Sequence, residues 1–206
     1  MAFELGADLI VTHHPLIFGG DLKAVNDTTE TGRCLLTLIE NGIAAINAHT
    51  NLDMAPGGVN DVLAQTLGLT NIQVADPEGT DEEGRPYGLI RSGEVTEMPL
   101  ERFLPIVKVK LGCDALRYVN GGKPVRKVCV GGGSCAGYLA QAAAHGFDTF
   151  VTADVKYNSS ALPMSWASIS STRATSTRKI PPCSFWHRSC AALSRRRRSS
   201  SRPISK

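Results

Sequence analysis

Short apolar runs alternate along the chain with segments whose apolar residues recur at helical spacing. Asp8 to Thr12 predicts a brief buried strand that ends at the pair His13-His14. Leu35, Leu36 and Ile39 share one helical side between Thr29 and Asn41, and Asn41-Gly42 stops that helix. Ile43 to Asn47 is strand-like, and Val59, Val62, Leu63 and Leu67 give Gly57 to Leu67 an apolar stripe. Asp76 to Pro86 is polar and carries Gly and Pro, which makes it the expected seam between two lobes. Beyond it, Tyr87 to Ile90 predicts a strand and Leu100 to Leu111 a helix entered after Pro99. Leu116 to Val119 and Arg126 to Val130 read as strands split by Asn120-Gly121-Gly122. An Ala-rich helix over Ala136 to His145 and a strand over Phe147 to Thr152 complete the body. The alternation predicts an α/β fold with largely parallel pairing, arranged as a first lobe over residues 1–80 and a second over 81–157. No internal repeat is visible.

Composition fits this picture. The 206 residues are 42% apolar and 20% charged, enough for a buried core in a soluble globular body. No run of eighteen apolar residues exists to span a membrane, and Met1 to Leu5 does not begin a signal peptide. Six cysteines without a CxxC pair suggest neither a disulfide framework nor a zinc ribbon, so a reducing cytoplasm is the expected location.

Charge changes the picture at the C-terminal end. All 19 acidic residues lie within residues 1–157, together with 12 of the 22 Lys and Arg. Residues 158–206 hold ten Lys or Arg, fourteen Ser and no acid. A basic arm of this kind, with Arg195 to Arg198 in a row, is one sequence signature of nucleic-acid binding. Its low apolar content predicts disorder.

Candidate chemistry gathers where the predicted strands end, the usual place for α/β ligand sites. In Val11-Thr12-His13-His14-Pro15-Leu16, successive side chains on extended backbone point apart, so two adjacent imidazoles suit two neighbouring metals better than one. Pro15 holds His14 toward extended geometry. Taken alone, the pair reads equally well as an ordinary polar strand end. Asn47-Ala48-His49-Thr50-Asn51-Leu52-Asp53 follows the second short strand, with His49 and Asp53 four residues apart. Imidazole and carboxylate suit Zn, Mn, Fe or Ni, although an Asx-rich turn with a helix cap would also explain this stretch. Gly131-Gly132-Gly133-Ser134 lacks the lysine of a P-loop and the spacing of a dinucleotide fingerprint, so close strand–helix packing is its simplest role. Asp154 and Lys156 form another polar strand end, which reads equally well as cleft lining or as a solvated pair, and His145 suits a helix C-terminus. Cys34, Cys113, Cys129 and Cys135 read as small buried residues.

Three segments together resemble a known family. They are Gly6 through Phe18, Ala48 through Asp53 with Gly57 to Asp61, and Gly131 through Tyr157. They are similar to the Nif-three-like dinuclear-metal proteins, also called GTP cyclohydrolase I type 2 homologues. The resemblance implies two α/β lobes with a metal cleft between them, two divalent metal ions and a toroidal homohexamer. It implies that His13 and His14 each contact a different metal and that Asp53 binds one of them, with His49 nearby. A nucleotide-like small molecule is the implied substrate class, and a metal-dependent hydrolase or cyclohydrolase the implied activity. A non-catalytic metal-binding regulatory or metal-handling scaffold is the alternative.

Two departures qualify that expectation. Family members usually carry a further strand and helix before the point where this chain starts. They also carry a late Gly-His-x-x-Thr-Glu motif, whose His and Glu complete the metal set. With synonymous codons chosen at the free bases, Trp166 to Pro181 can be back-translated so that the shifted frame reads Gly-Ile-Asn-Leu-Ile-Asp-Ala-Gly-His-Phe-Asp-Thr-Glu-Asn-Pro, the absent ending. A frameshift after about residue 157 therefore accounts for the basic tail as out-of-frame translation and argues against a nucleic-acid role. With that motif lost, reduced or single-site metal binding is expected.

Overall fold

The computed structural model describes residues 4–18, 22, 24–113, 115–155 and 164–169. The chain divides into two compact units, Met1–Leu52 and Asp53–Lys206. The expected boundary at residue 80 therefore moves back to residue 52. Helix and strand segments between residues 53 and 80 pack into the second unit's core, and Asp76 to Pro86 is no seam. It instead contains β4 (Gly79–Thr80) and the start of β5 (Pro86–Tyr87), an antiparallel hairpin tied by Arg85 to Asp81 and Glu83.

In the first unit, β1 (Leu9–Thr12) pairs in parallel with β2 (Ala44–Asn47), joined by α1 (Glu30–Glu40). Thr29 is the N-cap of α1, its hydroxyl accepting from the Gly32 N–H at 3.0 Å, and Asn41 closes the other end. The parallel register sets Thr12 opposite Asn47, so both strands end at the same edge. Cys34, expected inside, is exposed on α1.

The second unit is built on a six-stranded sheet in the order β3-β6-β8-β9-β10-β7. Its members are β3 (Thr70–Val74), β6 (Arg91–Met98), β7 (Leu116–Val119), β8 (Val125–Val130), β9 (Thr149–Ala153) and β10 (Ser165–Ile169). Pairing is mixed rather than largely parallel. The β8–β9 and β9–β10 pairs are parallel, whereas β3–β6, β6–β8 and β10–β7 are antiparallel. Alternation along the central strands buries both faces. Val128, Val130 and Val151 join one core with α3 (Val59–Leu67) and α4 (Leu100–Leu111), while Cys129 and Phe150 join the other beside α5 (Leu139–Ala144). Within α4 the buried stripe Leu100, Phe103 and Val107 outweighs the ladder bond that Pro105 forfeits.

The tail does not begin as a uniform basic segment at residue 158. Met164 and Trp166 enter the core, and β10 lies inside the sheet between β9 and β7. Backbone pairing on both sides and small residues at Ser165 and Ala167 let this strand fit. The remainder of the expected tail, including Arg195 to Arg198, lies outside the described residues, as does Lys156.

Candidate metal centre

In the first unit, the parallel register of β1 and β2 brings together two strand ends that are 35 residues apart in sequence. Asn47 Nδ2 donates to Thr12 Oγ1 at 2.6 Å, and that hydroxyl donates to the His14 carbonyl at 2.8 Å, fixing the bend just after β1. The ring centroids of His13 and His14 lie 5.1 Å apart, those of His13 and His49 5.1 Å, and those of His14 and His49 5.6 Å. Three of the four residues singled out from the sequence thus share one edge. His13 and His49 are half-buried and His14 is exposed.

His13 Nδ1 lies 2.7 Å from the Ala48 carbonyl. A carbonyl only accepts, so Nδ1 carries the proton and a neutral His13 has its lone pair on Nε2. Metal-bound histidines characteristically donate their other N–H to a carbonyl or carboxylate. The side chain therefore carries the arrangement that a divalent metal requires of it. Among the described residues, no group of three or more His, Cys, Asp and Glu side chains is arranged to close on a single ion. The donor set fits a divalent transition metal in its chemistry and in the His13 tautomer. The exposed His14 retains its alternative staggered rotamers.

Asp53 opens the second unit, within α2 (Thr50–Met54), the five-residue helix that follows His49. It is half-buried, and its backbone carbonyl accepts from Asn60 Nδ2 at 3.3 Å. Burial, and after it the charge of Asp53, pushes the Cys135 thiol up to about 12. Cys135 packs against the glycine loop after β8, its thiol donating to the Gly132 carbonyl at 3.0 Å. A Cβ on Gly131 would meet Cys135 Cβ at 2.6 Å, and one on Gly132 would meet Asn60 Oδ1 at 3.1 Å. The glycines therefore serve close packing, and only a single 3-10 turn, Ala136–Tyr138, separates that loop from α5. Asp154 leaves β9 exposed and in the left-handed region at φ 54°, while His145 caps the C-terminus of α5.

Thiol chemistry offers a direct check of this packing. Burial first, and then Asp148, also pushes the Cys129 thiol well above its ordinary value. Iodoacetamide at pH 8 is expected to alkylate Cys34 in the native chain and to spare Cys129 and Cys135, as read by peptide mass spectrometry. Rapid labelling of Cys135 without denaturant would contradict the described loop.

Two important residues were not foreseen. Asn60 is fully buried, and Arg91, at 2% exposure, is the largest of the fully buried side chains. The sequence signal for Arg91 is a lone base that follows Leu89-Ile90 at the start of a strand.

The fold and much of the sequence have known counterparts. The chain is 35% identical over 159 residues to the GTP cyclohydrolase 1 type 2 homolog of Clostridium perfringens, covering 76% of this chain and 59% of that protein. It is 40% identical over 161 residues to the protein of the same name from Streptomyces coelicolor, covering 76% of this chain and 56% of the relative. The chain thus spans less than three fifths of the length of these relatives. Among solved structures, it superimposes on Staphylococcus aureus protein SA1388 with a TM-score of 0.71 at 29% identity, covering 82% of this chain and 69% of that one. The Bacillus cereus protein related to NIF3 gives a TM-score of 0.75 at 24% identity, covering 92% and 80%, and shares the fold. The family model described as Duf34/NIF3 (NGG1p interacting factor 3) matches residues 1–169, and the chain belongs to that family.

Proposed function

We propose that this protein binds divalent transition-metal ions through His13, His14 and His49, with Asp53 as the carboxylate donor. The observation that carries the reading is the gathering of three imidazoles within 5.6 Å of one another, with the His13 tautomer set by the Ala48 carbonyl. A metal bound there would polarise a substrate oxygen and generate hydroxide near neutral pH, the chemistry of a metal-dependent hydrolase or cyclohydrolase. The names of the curated relatives favour a nucleotide-like small-molecule substrate; a homohexamer and a cytoplasmic location are proposed with it, on the family resemblance alone. His13 Nδ1 is held by the Ala48 carbonyl, and the hydrogen bonds among Thr12, His14 and Asn47 hold the bend on which the ring sits.

Stoichiometric metal binding without turnover is the second reading. Zinc titration against a chromogenic chelator tests the shared premise. One Zn²⁺ per chain is expected, and His13→Ala should weaken its uptake by about 100-fold or more, beyond the 10- to 100-fold cost of losing an outer partner. Equal uptake by wild type and variant would remove the imidazole site from consideration. Chelation that abolishes turnover, and metal that restores it, would separate the hydrolase from the scaffold.

A further inference from the structure

The helix that carries Asp53 cannot support itself. Five residues are far fewer than an isolated helix needs, and the final carbonyls of any helix lack intrahelical donors. In this protein those carbonyls are met by side chains from elsewhere in the second unit. Asn60 Nδ2 donates to the Asp53 carbonyl at 3.3 Å and to Leu89 at 2.6 Å, while Asn60 Oδ1 accepts from the Gly132 N–H at 2.7 Å. Arg91 Nη2 donates to the Met54 carbonyl at 2.8 Å and to Ala55 at 3.3 Å. Its Nη1 reaches the Gly88 carbonyl at 2.6 Å, and its Nε pairs with Asp61. Three successive carbonyls, Asp53 to Ala55, are thus capped by two buried side chains, one of them a cation at the negative end of the helix. Gly57 N–H donates to the other Asp61 oxygen, which ties the turn after α2 to the same ion pair.

We propose that Arg91 and Asn60 are positioning residues for Asp53, capping the C-terminal end of α2 so that its carboxylate is presented in one orientation to a divalent cation. The proposal rests on the metal-binding reading of Asp53 given above. Neither residue touches the ion. Each acts through the backbone of α2, and Arg91, planar and always charged, meets four acceptors that a lysine cannot meet at once.

The test uses the full chain, Zn²⁺ as the probe and two measurements. In the first, Arg91→Lys and Asn60→Ser are each expected to weaken zinc binding about tenfold, within the range for outer-shell partners. Neither should weaken it further once Asp53→Ala is present, because both act through that carboxylate. In the second, hydrogen exchange of the metal-free variants should accelerate at residues 50–58 and stay unchanged in β8 and β9, which shows that the sheet is intact. Wild-type affinity in both variants, alongside a loss in Asp53→Ala, would overturn the positioning role and leave the metal reading standing. An equal tenfold loss with and without Asp53 would also overturn it, since the effect would then be general. Failure of the wild type to take up zinc, or an Asp53→Ala chain that binds like wild type, would overturn the metal reading and this proposal together.

Discussion

Translation of the shifted frame after about position 157 is expected to yield a chain that binds Zn²⁺ at least about 100-fold more tightly than the present one, since it regains coordinating groups rather than outer partners. The physical motive lies in β10. Its backbone pairs with β9 and β7, yet Trp166 Nε1 and Ser168 Oγ are buried without hydrogen-bond partners among the described residues. Buried polar atoms are almost always paired, so two orphans in one five-residue strand mark side chains that do not suit their place. The shifted reading substitutes Gly-Ile-Asn-Leu-Ile, mostly apolar, and continues into the Asp-Ala-Gly-His-Phe-Asp-Thr-Glu run. Because β10 runs parallel to β9, with Ile169 opposite Ala153, the restored sequence leaves the sheet at the edge where Asp154 follows β9. The same zinc competition measures the effect, and sequencing the encoding DNA through that region shows whether the frame is open. A smaller check needs no change of frame. Ser168→Ala should stabilise the present chain by about 1–3 kcal/mol, the cost of an unsatisfied buried polar group. A destabilised Ser168→Ala chain would show that the hydroxyl is paired after all.

Asp61→Asn is expected to destabilise the second unit by about 3–5 kcal/mol, measured from the urea midpoint at constant m-value. Arg91 is 2% exposed, so removing the countercharge leaves a buried cation uncompensated. Asp61, at 17% side-chain exposure, retains some solvent, which places the reverse variant, Arg91→Met, nearer the lower end of that range. Replacing both partners with apolar residues of similar size should recover most of the loss, because the desolvation cost of both charges disappears together. The three backbone carbonyls that Arg91 serves would still lose that donor, so recovery should stay incomplete. A double variant as unstable as Asp61→Asn alone would mean that these carbonyls, rather than the charge, dominate the site.

Elements with strong local signals were readable from the chain itself. The helix over Leu100 to Leu111 has its expected ends because Pro99 opens it, Gly112 closes it in the left-handed region, and its apolar stripe is regular. The helix at Glu30–Glu40 was equally marked by its Thr29 cap and its Asn41-Gly42 stop. Among the strands that escaped notice, β3 and β6 did so for a physical reason. In β3, Asn71 takes φ 52° and shifts the register between Thr70 and Gln73, which breaks the alternation that identifies a strand. In β6, the buried positions are Arg91, Ser92 and Gly93, which no hydrophobic pattern would select. The mixed pairing of the large sheet is equally hidden, since neighbouring strands are chosen by nonlocal packing.

By itself, the sequence determined the family, the α/β class, the main helices and the imidazoles at the ends of two short strands. The family rests on the resemblance of three segments, while the class, the helices and the imidazoles depend on periodicity, caps and residue chemistry, which act over a few neighbouring positions. Only the tertiary structure decided that the units divide at Leu52, that Ser165–Ile169 lies inside the sheet, and that Asn60 and Arg91 hold the helix bearing Asp53. Each of those outcomes joins groups that are distant in the chain or satisfies backbone groups whose partners lie on another element. Their energies arise from burial and hydrogen-bond satisfaction, which exist only once the chain is folded.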